Sequence, residues 1–312
     1  MSKLKGLLLT EGMHGMISQV EGLAKALDID FTHHKVELNS FWKLISPKFT
    51  PVSNFTFNSL DAKDFDIIIS CGRKSVIPSI CLKKNSKKKV YNIHIQDPKV
   101  SFNNFDFIIA PEHDDLSGEN VILSKGSIHY LTNEEIVNNR EYLIERLNKE
   151  KNYLTLILGG PNKYYDYNDQ NLKKIFNRVK IILEKSNLQA IIIPSTRTPK
   201  ETIDLSNNFF GKEHLVINDV EKKAYLSALS LAKYIVVTCD STSMISEAAI
   251  TGKPIYIAEI PAKNNDYRFR RFRELFGKLN IVKNLDEKVE KWNYEILDET
   301  NRIAKEIKRK IS

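Results

Sequence analysis

The residues best suited to chemistry lie in one short stretch, where small polar side chains follow an apolar run. Residues 234–238 are apolar and β-branched, which predicts a buried strand. Four residues of the types that cap helices then precede a helical pattern over 244–250: Asp240, Ser241, Thr242 and Ser243. The first N–H groups of a helix have no partner within it, so together with nearby hydroxyls they bind phosphate and other anions. We therefore expect an anion site here.

Glu247 adds a carboxylate to the same predicted helix. It follows Ser243 by four residues, so the two side chains share a helix face. No Ser or Thr stands three residues before Glu247, so it is not the carboxylate of a capping box. We expect Glu247 to accept hydrogen bonds from ribose hydroxyls. The alternative is that Asp240 and Ser241 only cap the helix and that Glu247 faces water.

Two further candidates follow other predicted strands of the second half. Gly159 and Gly160 end one strand, and their N–H groups are candidates for contact with a diphosphate. Arg197 and Thr198 follow the next strand, and the planar guanidinium of Arg197 is suited to pair with phosphate through two hydrogen bonds. The alternative for Arg197 is an ion pair or exposure to solvent.

Polar residues also follow the predicted strands of the first half: Gly12, His14, Gly15, Arg73, Gln96, Asp97, His113 and Asp114. Ligands of parallel α/β sheets bind at the carboxyl ends of the strands, so we expect these turns to face the same cleft. His14 is a candidate general base or anion contact, with a polar turn residue as the alternative. His113 and Asp114 are alternatively a turn with local hydrogen bonds, and Arg73 an ion pair.

The elements that position these residues are repeated strand–turn–helix units. The pattern restarts at Leu154, after a charged helical stretch over 134–150. We therefore expect an α/β fold of two Rossmann-like βα domains, 1–149 and 150–312, that face each other across a cleft (GT-B-like). An amphipathic pattern over 286–311 predicts a terminal helix. One expected position for this helix is against the first domain.

The composition is that of a soluble globular protein. The 312 residues carry a net charge of +8, a mild excess that suits an anionic ligand or an acidic membrane surface. No basic stripe interleaved with aromatic residues predicts nucleic-acid binding, and the three cysteines match no metal or redox spacing. No apolar run is long enough for a transmembrane segment. We expect a cytoplasmic protein, with peripheral membrane association as an option.

Several segments together resemble the ELM (elongated mitochondria) mitochondrial-fission family, in the order of that family. They are EGMHGMISQVEGLAKAL at 11–27, DIIISCGRKS at 66–75, HIQDPK at 94–99, FDFIIAPEHDDL at 105–116, NVILSKGSIH at 120–129, LILGGPN at 156–162, PSTRTP at 194–199 and VVTCDSTSMISEAAITGKPI at 236–255. The chain departs from the family at 218–220, where Asn-Asp-Val replaces Asn-Pro-Tyr, and at Lys233, where an acidic residue is common.

The resemblance implies the two-domain GT-B glycosyltransferase architecture, in which the second domain binds the nucleotide-sugar and the first binds the acceptor. The implied nucleotide-binding residues are Gly159, Gly160, Arg197, Thr198, Asp240, Ser241, Thr242, Ser243, Glu247, Gly252 and Lys253. The implied acceptor-binding residues are Gly12, Gly15, Arg73, Gln96, Asp97 and His113. His14 or Asp114 is the implied catalytic base, and neither a metal nor a cofactor is expected.

Three functions follow as hypotheses. The first is a metal-independent glycosyltransferase that uses a nucleotide-sugar, or binds the nucleoside diphosphate, and acts on an anionic or membrane-associated acceptor. The second is a non-catalytic, ligand-binding scaffold that recruits a partner. The third is an epimerase of nucleoside-diphosphate sugars. A shared fold does not decide among them, because one fold hosts many reactions.

Overall fold

The chain divides into two units, each built on its own parallel sheet. The structure, a computed structural model, describes residues 3–60 and 64–311. Unit 1 comprises the chain up to Tyr130 together with the stretch from Asp298 onwards, and unit 2 comprises Leu131–Leu297. The division of the chain thus falls at Tyr130, whereas the sequence pattern placed a boundary near residue 150.

Unit 1 is a six-stranded parallel sheet in the order β2-β1-β3-β4-β5-β6. Its strands are β1 (Lys5–Thr10), β2 (Asp30–Lys35), β3 (Ile67–Cys71), β4 (Tyr91–Ile95), β5 (Phe107–Pro111) and β6 (Val121–Ser124). Its helices are α1 (His14–Leu27), α2 (Val76–Asn85) and α9 (Glu299–Ile311). The central strand β3 is buried along its whole length, which explains its unbroken apolar sequence. The strand β2 lies at an edge and is partly exposed, so its polar sequence gave no strand signal.

The terminal helix α9 belongs to unit 1. Its buried face of Ile303, Ala304 and Ile307 shares a hydrophobic cluster with Val20 and Leu23 of α1. The helix predicted over 286–311 forms only from Glu299. The preceding segment, 286–297, belongs to unit 2, where the Trp292 indole donates to the Asn280 carbonyl at 2.8 Å and packs on Tyr256. Tertiary contacts of this segment therefore replace the helix that its spacing favoured.

Unit 2 is a second six-stranded parallel sheet, in the order β12-β11-β10-β7-β8-β9. Its strands are β7 (Asn152–Leu158), β8 (Leu188–Pro194), β9 (Leu215–Val216), β10 (Ala232–Thr238), β11 (Ile255–Ala258) and β12 (Val282–Asn284). Its helices are α3 (Asn133–Asn138), α4 (Asp169–Ser186), α5 (Lys200–Phe210), α6 (Lys222–Leu231), α7 (Thr242–Ala249) and α8 (Tyr267–Lys278). The predicted α/β fold with two Rossmann-like parallel sheets is confirmed.

The helix predicted over 134–150 is interrupted. Only α3 forms, and two turns of 3₁₀ helix follow it at Arg140–Tyr142 and Ile144–Arg146. Hydrogen bonds to α6 replace the helical hydrogen bonds of this stretch. The Leu143 N–H donates to Ser227 Oγ at 3.1 Å. The Arg140 guanidinium also donates to the Ser230 carbonyl at 3.0 Å.

None of the helices in the described part of the chain combines the length and the apolar character needed to cross a bilayer.

Candidate functional site

The strand order of unit 2 reverses between β7 and β10, which makes the crevice at that point a candidate ligand site. The chain adds β8 and β9 on one side of β7, then returns and adds β11 and β12 on the other side of β10. Ligands of open α/β sheets bind at the carboxyl edge beside this reversal. Gly159 and Gly160 follow β7, and Asp240 follows β10. Two stretches that the sequence singled out thus lie side by side at this crevice.

Asp240 is the centre of a buried polar cluster at that edge. Its carboxylate is fully buried and accepts from an Arg197 guanidinium N–H at 2.7 Å. The Gly160 N–H donates to the same oxygen at 3.2 Å, and the Tyr167 hydroxyl donates to the other oxygen. A second N–H of Arg197 donates to the Gly160 carbonyl at 2.9 Å. A buried charge is tolerated when it is paired and hydrogen-bonded in this way, so the cluster joins the loops that follow β7, β8 and β10.

The N–H groups of both candidate glycines are used inside the protein. The Gly159 N–H donates to Thr238 Oγ1 at 2.9 Å, and that of Gly160 donates to Asp240. A diphosphate contact at these two N–H groups, which the sequence suggested, would require these internal bonds to break. Both residues must instead be glycine for steric reasons. A Cβ on Gly159 would lie 2.2 Å from an Asp240 oxygen, and one on Gly160 would lie 2.0 Å from the Arg197 carbonyl oxygen.

Replacing Gly160 with Ala should lower the free energy of unfolding by about 1–3 kcal/mol, the usual cost of overpacking. The backbone carbonyl of Arg197 must move away, and its movement disturbs the pairing with Asp240. Denaturant titration measures the change. Gly277→Ala in α8 is the control, because its Cβ would meet no atom within 4 Å. Equal stability of the two variants would contradict the prediction, because it would show that the loop after β7 accommodates the added Cβ without cost.

The first turn of α7 offers open donors at the same edge. Ser241 is the N-cap, and its hydroxyl accepts from the Met244 N–H at 3.4 Å. The sequence offered Asp240 and Ser241 as caps, and the structure has Ser241 in that position. Thr242 and Ser243 are the first two helical residues, so their N–H groups have no acceptor within the helix. Both side chains are half-buried. The positive end of the helix dipole and two hydroxyls therefore accompany these N–H groups.

Glu247 lies further along α7 and is buried, with 9% of its surface exposed. Its Oε2 accepts from the Tyr225 hydroxyl of α6 at 2.9 Å. Burial raises the pKa of Glu247 to about 7, so its carboxyl group titrates near neutral pH. The alternative in which this side chain faces water is excluded.

Gly252 and Lys253 lie apart from the other nucleotide-binding candidates. The helix α7 begins at the carboxyl edge of the sheet and returns the chain to the amino end of β11, so these residues lie at the opposite edge. The Lys253 ammonium donates to the carbonyls of Leu229 and Ser230 at 2.7 and 2.5 Å and so caps the carboxyl end of α6. Burial lowers the pKa of Lys253 to about 8.

Thr198 supports the loop after β8. Its hydroxyl donates to the Leu158 carbonyl at 2.9 Å and accepts from the Ser195 N–H at 2.8 Å. This hydroxyl therefore links the ends of β7 and β8 and positions the neighbouring Arg197.

Two groups in unit 2 were missed by the sequence reasoning. Tyr167 contributes to the Asp240 cluster, and burial together with the Asp240 charge raises its pKa well above the usual range. Tyr165 is fully buried and donates to Asp266 at 2.6 Å, while Arg273 contacts both of them. The run Tyr-Tyr-Asp-Tyr at 164–167, directly after the glycine turn, is the signal that was available.

A groove of about 480 Å³ opens beside the cluster. Arg273 borders it and also reaches the Cys239 carbonyl at 3.4 Å, next to Asp240 in the chain. Basic side chains from two helices share this groove: Lys174, Arg178, Arg270 and Arg273. Glu259 and Asp266 neutralise Arg273, whereas Lys174 and Arg178 have no carboxylate partner among the residues described. The groove therefore has the charge to receive an anionic ligand.

Unit 1 has its own reversal of strand order, between β1 and β3. Glu11 follows β1, and its carboxylate accepts from the Lys74 N–H at 3.1 Å and pairs with the Lys74 ammonium at 2.8 Å. Gly12 and Gly72 stand in the left-handed region with φ of 86° and 91°, which permits these tight turns. Gly15 has open space where a Cβ would lie.

The catalytic candidates of unit 1 follow two different strands of its sheet. His14 is the first residue of α1 and is exposed, with Nε2 3.2 Å from the Tyr130 hydroxyl. His113 and Asp114 follow β5, three strands from β1, and both side chains are largely buried. His113 Nε2 lies 3.7 Å from Asp114 Oδ1. Asp114 and His113 therefore form one local group, and His14 forms another.

Two of the other acceptor-side candidates, Asp97 and Arg73, have local partners, and Gln96 has an unusual backbone conformation. Gln96 has a left-handed φ of 86°, a strained conformation for this residue type at a strand end. Asp97 accepts from the Lys99 N–H at 2.9 Å and pairs with the Lys99 ammonium. Arg73 donates to the carbonyls of Lys43 and Ile45 at 2.5 and 3.2 Å and so holds the connection between β2 and β3. In the described part of the chain, no three His, Cys, Asp or Glu side chains are grouped to hold a metal ion.

Solved structures of sugar-nucleotide enzymes share this fold. A putative UDP-N-acetylglucosamine 2-epimerase from Listeria monocytogenes superposes with a TM-score of 0.59 at 13% identity, covering 99% of this chain and 97% of that one. The UDP-GlcNAc 2-epimerase from Neisseria meningitidis, bound to UDP-GlcNAc, superposes with a TM-score of 0.53 at 12% identity, covering 98% and 100%. At such identities the likeness shows the GT-B-like fold alone.

Sequence relatives point to one family. An uncharacterised protein of Rickettsia prowazekii is 27% identical over 284 residues, which is 78% of this chain and 79% of that protein. The mitochondrial fission protein ELM1 of Arabidopsis thaliana is 22% identical over 275 residues, which is 79% of this chain and 64% of the plant protein. The sequence model described as Mitochondrial fission ELM1 matches residues 14–311. Because that match spans nearly the whole chain, the chain belongs to the mitochondrial fission ELM1 family.

Proposed function

We propose that this chain is a metal-independent glycosyltransferase that uses a nucleotide-sugar and holds the nucleoside diphosphate in unit 2. The observation that carries the proposal is the first turn of α7 at the strand reversal of unit 2, where the N–H groups of Thr242 and Ser243 have no acceptor within the helix. Helix starts at such a crevice are the usual phosphate sites of α/β proteins.

The diphosphate would bind at α7 and not at the glycine turn. The N–H groups of Thr242 and Ser243 have no acceptor within α7, whereas those of Gly159 and Gly160 are bonded within the protein. Arg197 neutralises the buried charge of Asp240, so the cluster adds little repulsion towards an anion. The glycines, Arg197 and Asp240 then act by holding the start of α7 in place.

Glu247 would bind the ribose. It lies four residues after Ser243, roughly 6 Å along the axis of α7 and on the same face. In its ionised form the carboxylate accepts hydrogen bonds from two ribose hydroxyls. The pKa of about 7 makes this form increasingly populated above neutral pH. UDP-GlcNAc is bound in the Neisseria epimerase of the same fold, which supports a nucleotide-sugar as the ligand class.

The transfer itself would use residues of unit 1. The acceptor hydroxyl attacks the anomeric carbon, a base takes its proton, and the diphosphate leaves with the electron pair of the broken bond. His14 and Asp114 are the candidate bases, with Gly12, Gly15, Gln96 and His113 on the acceptor side. The N–H groups of α7 stabilise the negative charge that develops on the diphosphate. Arg73 and Asp97 are less suited to an acceptor, since both have local partners.

An epimerase is the second candidate, because epimerases are prominent among the structures that share the fold. Incubation with UDP-GlcNAc, followed by chromatography of the products, separates the candidates. Conversion to a sugar epimer without an acceptor supports the epimerase. Release of UDP only with an acceptor supports the transferase. Binding without turnover supports a scaffold.

Ser243→Asp tests the phosphate site. An Asp in the first turn of a helix is favourable for the helix but repels a bound phosphate. We expect UDP to bind the original chain in calorimetric titration and to bind the variant at least tenfold more weakly, about 1.4 kcal/mol. Asn133→Asp, in the first turn of α3, is the matched control and should leave UDP binding unchanged.

The result is decisive in either direction. If the original chain binds no nucleoside diphosphate among UDP, ADP, GDP and CDP, the transferase and epimerase proposals both fail and the scaffold gains. If binding survives in Ser243→Asp while the melting temperature is unchanged, the phosphate does not lie at α7.

A further inference from the structure

The connection between β2 and β3 presents an unusual apolar surface to solvent. We define this aromatic–lysine surface by its exposed residues: Phe41, Lys43, Leu44, Lys48, Phe49, Val52 and Phe55. The exposed fractions are 65% for Phe41, 85% for Leu44, 72% for Phe49 and 59% for Phe55. Exposed apolar side chains scattered singly are normal, whereas a dense group marks an interaction site. Here five large apolar residues are concentrated within fifteen consecutive positions.

The surface is a built part of the fold. The Asn39 N–H donates to the Thr56 carbonyl at 3.0 Å, and a β-bridge joins Leu38 to Phe57. These contacts close the base of the segment. Leu38 and Phe57 are buried in a cluster with the strands of the sheet. The outward position of the apolar side chains is therefore set by the folded backbone beneath them.

Further contacts fix the tip of the segment. Arg73 donates to the carbonyls of Lys43 and Ile45 from the turn after β3. The Thr50 hydroxyl donates to the Ser46 carbonyl at 3.0 Å. The aromatic rings contact one another, with Trp42 4.8 Å from Phe41 and 5.9 Å from Phe55 between centroids. Arg73, an acceptor-side candidate from the sequence, thus has a defined task in supporting this surface.

The charges of the surface have one sign. Lys43 and Lys48 are exposed, and neither has a carboxylate partner among residues 3–60 and 64–311. No Asp or Glu occurs between Glu37 and Asp61. The Lys48 ammonium lies 5.9 Å from the centre of the Phe49 ring, so charge and apolar surface are adjacent. The complementary partner must be apolar and anionic at the same place.

We propose that unit 1 docks peripherally on an anionic lipid surface through the aromatic–lysine surface. Phe, Trp and Leu side chains partition into the boundary between headgroups and acyl chains. Lys43 and Lys48 pair with the anionic headgroups at that depth. A protein partner would also cover apolar residues, but the uniform positive charge favours a layer of anionic headgroups. The proposal is independent of the function proposed above, since none of the residues that define the surface is assigned to nucleotide or acceptor.

Vesicle flotation with the full chain tests the docking. We expect binding to vesicles of phosphatidylcholine with phosphatidylglycerol, and little binding to phosphatidylcholine alone. Leu44→Ser combined with Phe49→Ser should reduce binding more than tenfold. Lys43→Glu combined with Lys48→Glu should abolish the preference for the anionic vesicles, and added salt should weaken the binding of the original chain. Both pairs are exposed, so their melting temperatures should match the original.

A matched control lies in unit 2. Val137 and Val220 are 54% and 57% exposed, so Val137→Ser combined with Val220→Ser removes apolar surface elsewhere. This variant should bind vesicles like the original chain. Failure of the original chain to bind anionic vesicles overturns the proposal, as does an equal loss in the control. A dimer in light scattering that Leu44→Ser with Phe49→Ser dissolves, without vesicle binding, would assign the surface to a second copy instead.

Discussion

Replacing Asp240 with Ala should lower the free energy of unfolding by about 1–3 kcal/mol, the usual cost of leaving the partners of a buried polar group unsatisfied. The carboxylate is fully buried and takes hydrogen bonds from Arg197, Gly160 and Tyr167. Its removal leaves the guanidinium without its carboxylate and the Gly160 N–H without its acceptor, while the Tyr167 hydroxyl keeps Thr238 Oγ1 at 2.6 Å. Denaturant titration at neutral pH measures the loss.

Two comparisons separate this effect from a general loss of charge. Asp169→Ala breaks an exposed pair with Lys173, and exposed pairs contribute at most about 1 kcal/mol. A double-mutant cycle of Asp240→Ala with Arg197→Ala should show a coupling of 1 kcal/mol or more, on the order expected for contacting residues. A loss below about 1 kcal/mol for Asp240→Ala would mean that water replaces the carboxylate and that the cluster does not hold the loops together.

The fold followed from the sequence because its signals are local. Buried parallel strands such as β3 and β10 are continuous apolar runs, and small polar residues follow them at the turns. The family resemblance and the Rossmann-like fold were both confirmed on this basis. Elements whose stability comes from tertiary contacts were misjudged. The edge strand β2 is polar, and the segment before α9 is held within unit 2 by contacts of Trp292 and Tyr294.

The candidate site was only partly accessible to sequence reasoning. The pattern narrowed the helix cap to Asp240 or Ser241, of which Ser241 is the cap, and it brought two loops to one edge of a sheet. It gave no sign that Asp240 accepts from Gly160 and Tyr167, because these contacts join residues more than 70 positions apart. To predict the position of Lys253, the direction of α7 is needed as well as its existence. The helix runs away from the carboxyl edge, so its end lies at the opposite edge of the sheet.

Glu247→Gln should change both stability and nucleotide binding as a function of pH. The carboxyl group has an ordinary pKa near 4.5 and a pKa of about 7 in the folded chain, because burial disfavours its charge. Between these values the folded state holds a proton that the unfolded state releases, so stability falls as pH rises through this window. The fall is on the order of 3 kcal/mol and is complete above about pH 7. Gln has no charge to bury and keeps an acceptor for Tyr225, so the variant should not show this fall.

Denaturant titration of both proteins from pH 5 to pH 8 measures the difference. Near pH 5 the two stabilities should be similar, and the variant should become the more stable one as pH rises. Glu134→Gln, on the exposed surface of α3, is the control and should follow the original chain throughout. A constant difference between Glu247→Gln and the original chain would show that Glu247 does not titrate in this range.

If Glu247 holds the ribose, the affinity of the original chain for UDP should rise with pH, although its stability falls. At pH 8 the ionised carboxylate accepts from the ribose hydroxyls, and losing such charged hydrogen bonds costs about 1.5–3 kcal/mol, roughly ten- to a hundredfold in affinity. Below pH 6 the carboxyl is mostly protonated in the original chain, so the two proteins should bind UDP more equally. Calorimetric titration at both pH values tests this. Equal affinities at pH 8 would leave the phosphate site at α7 intact but remove Glu247 from the ribose, because the charge that distinguishes the two side chains would then make no contact with the ligand.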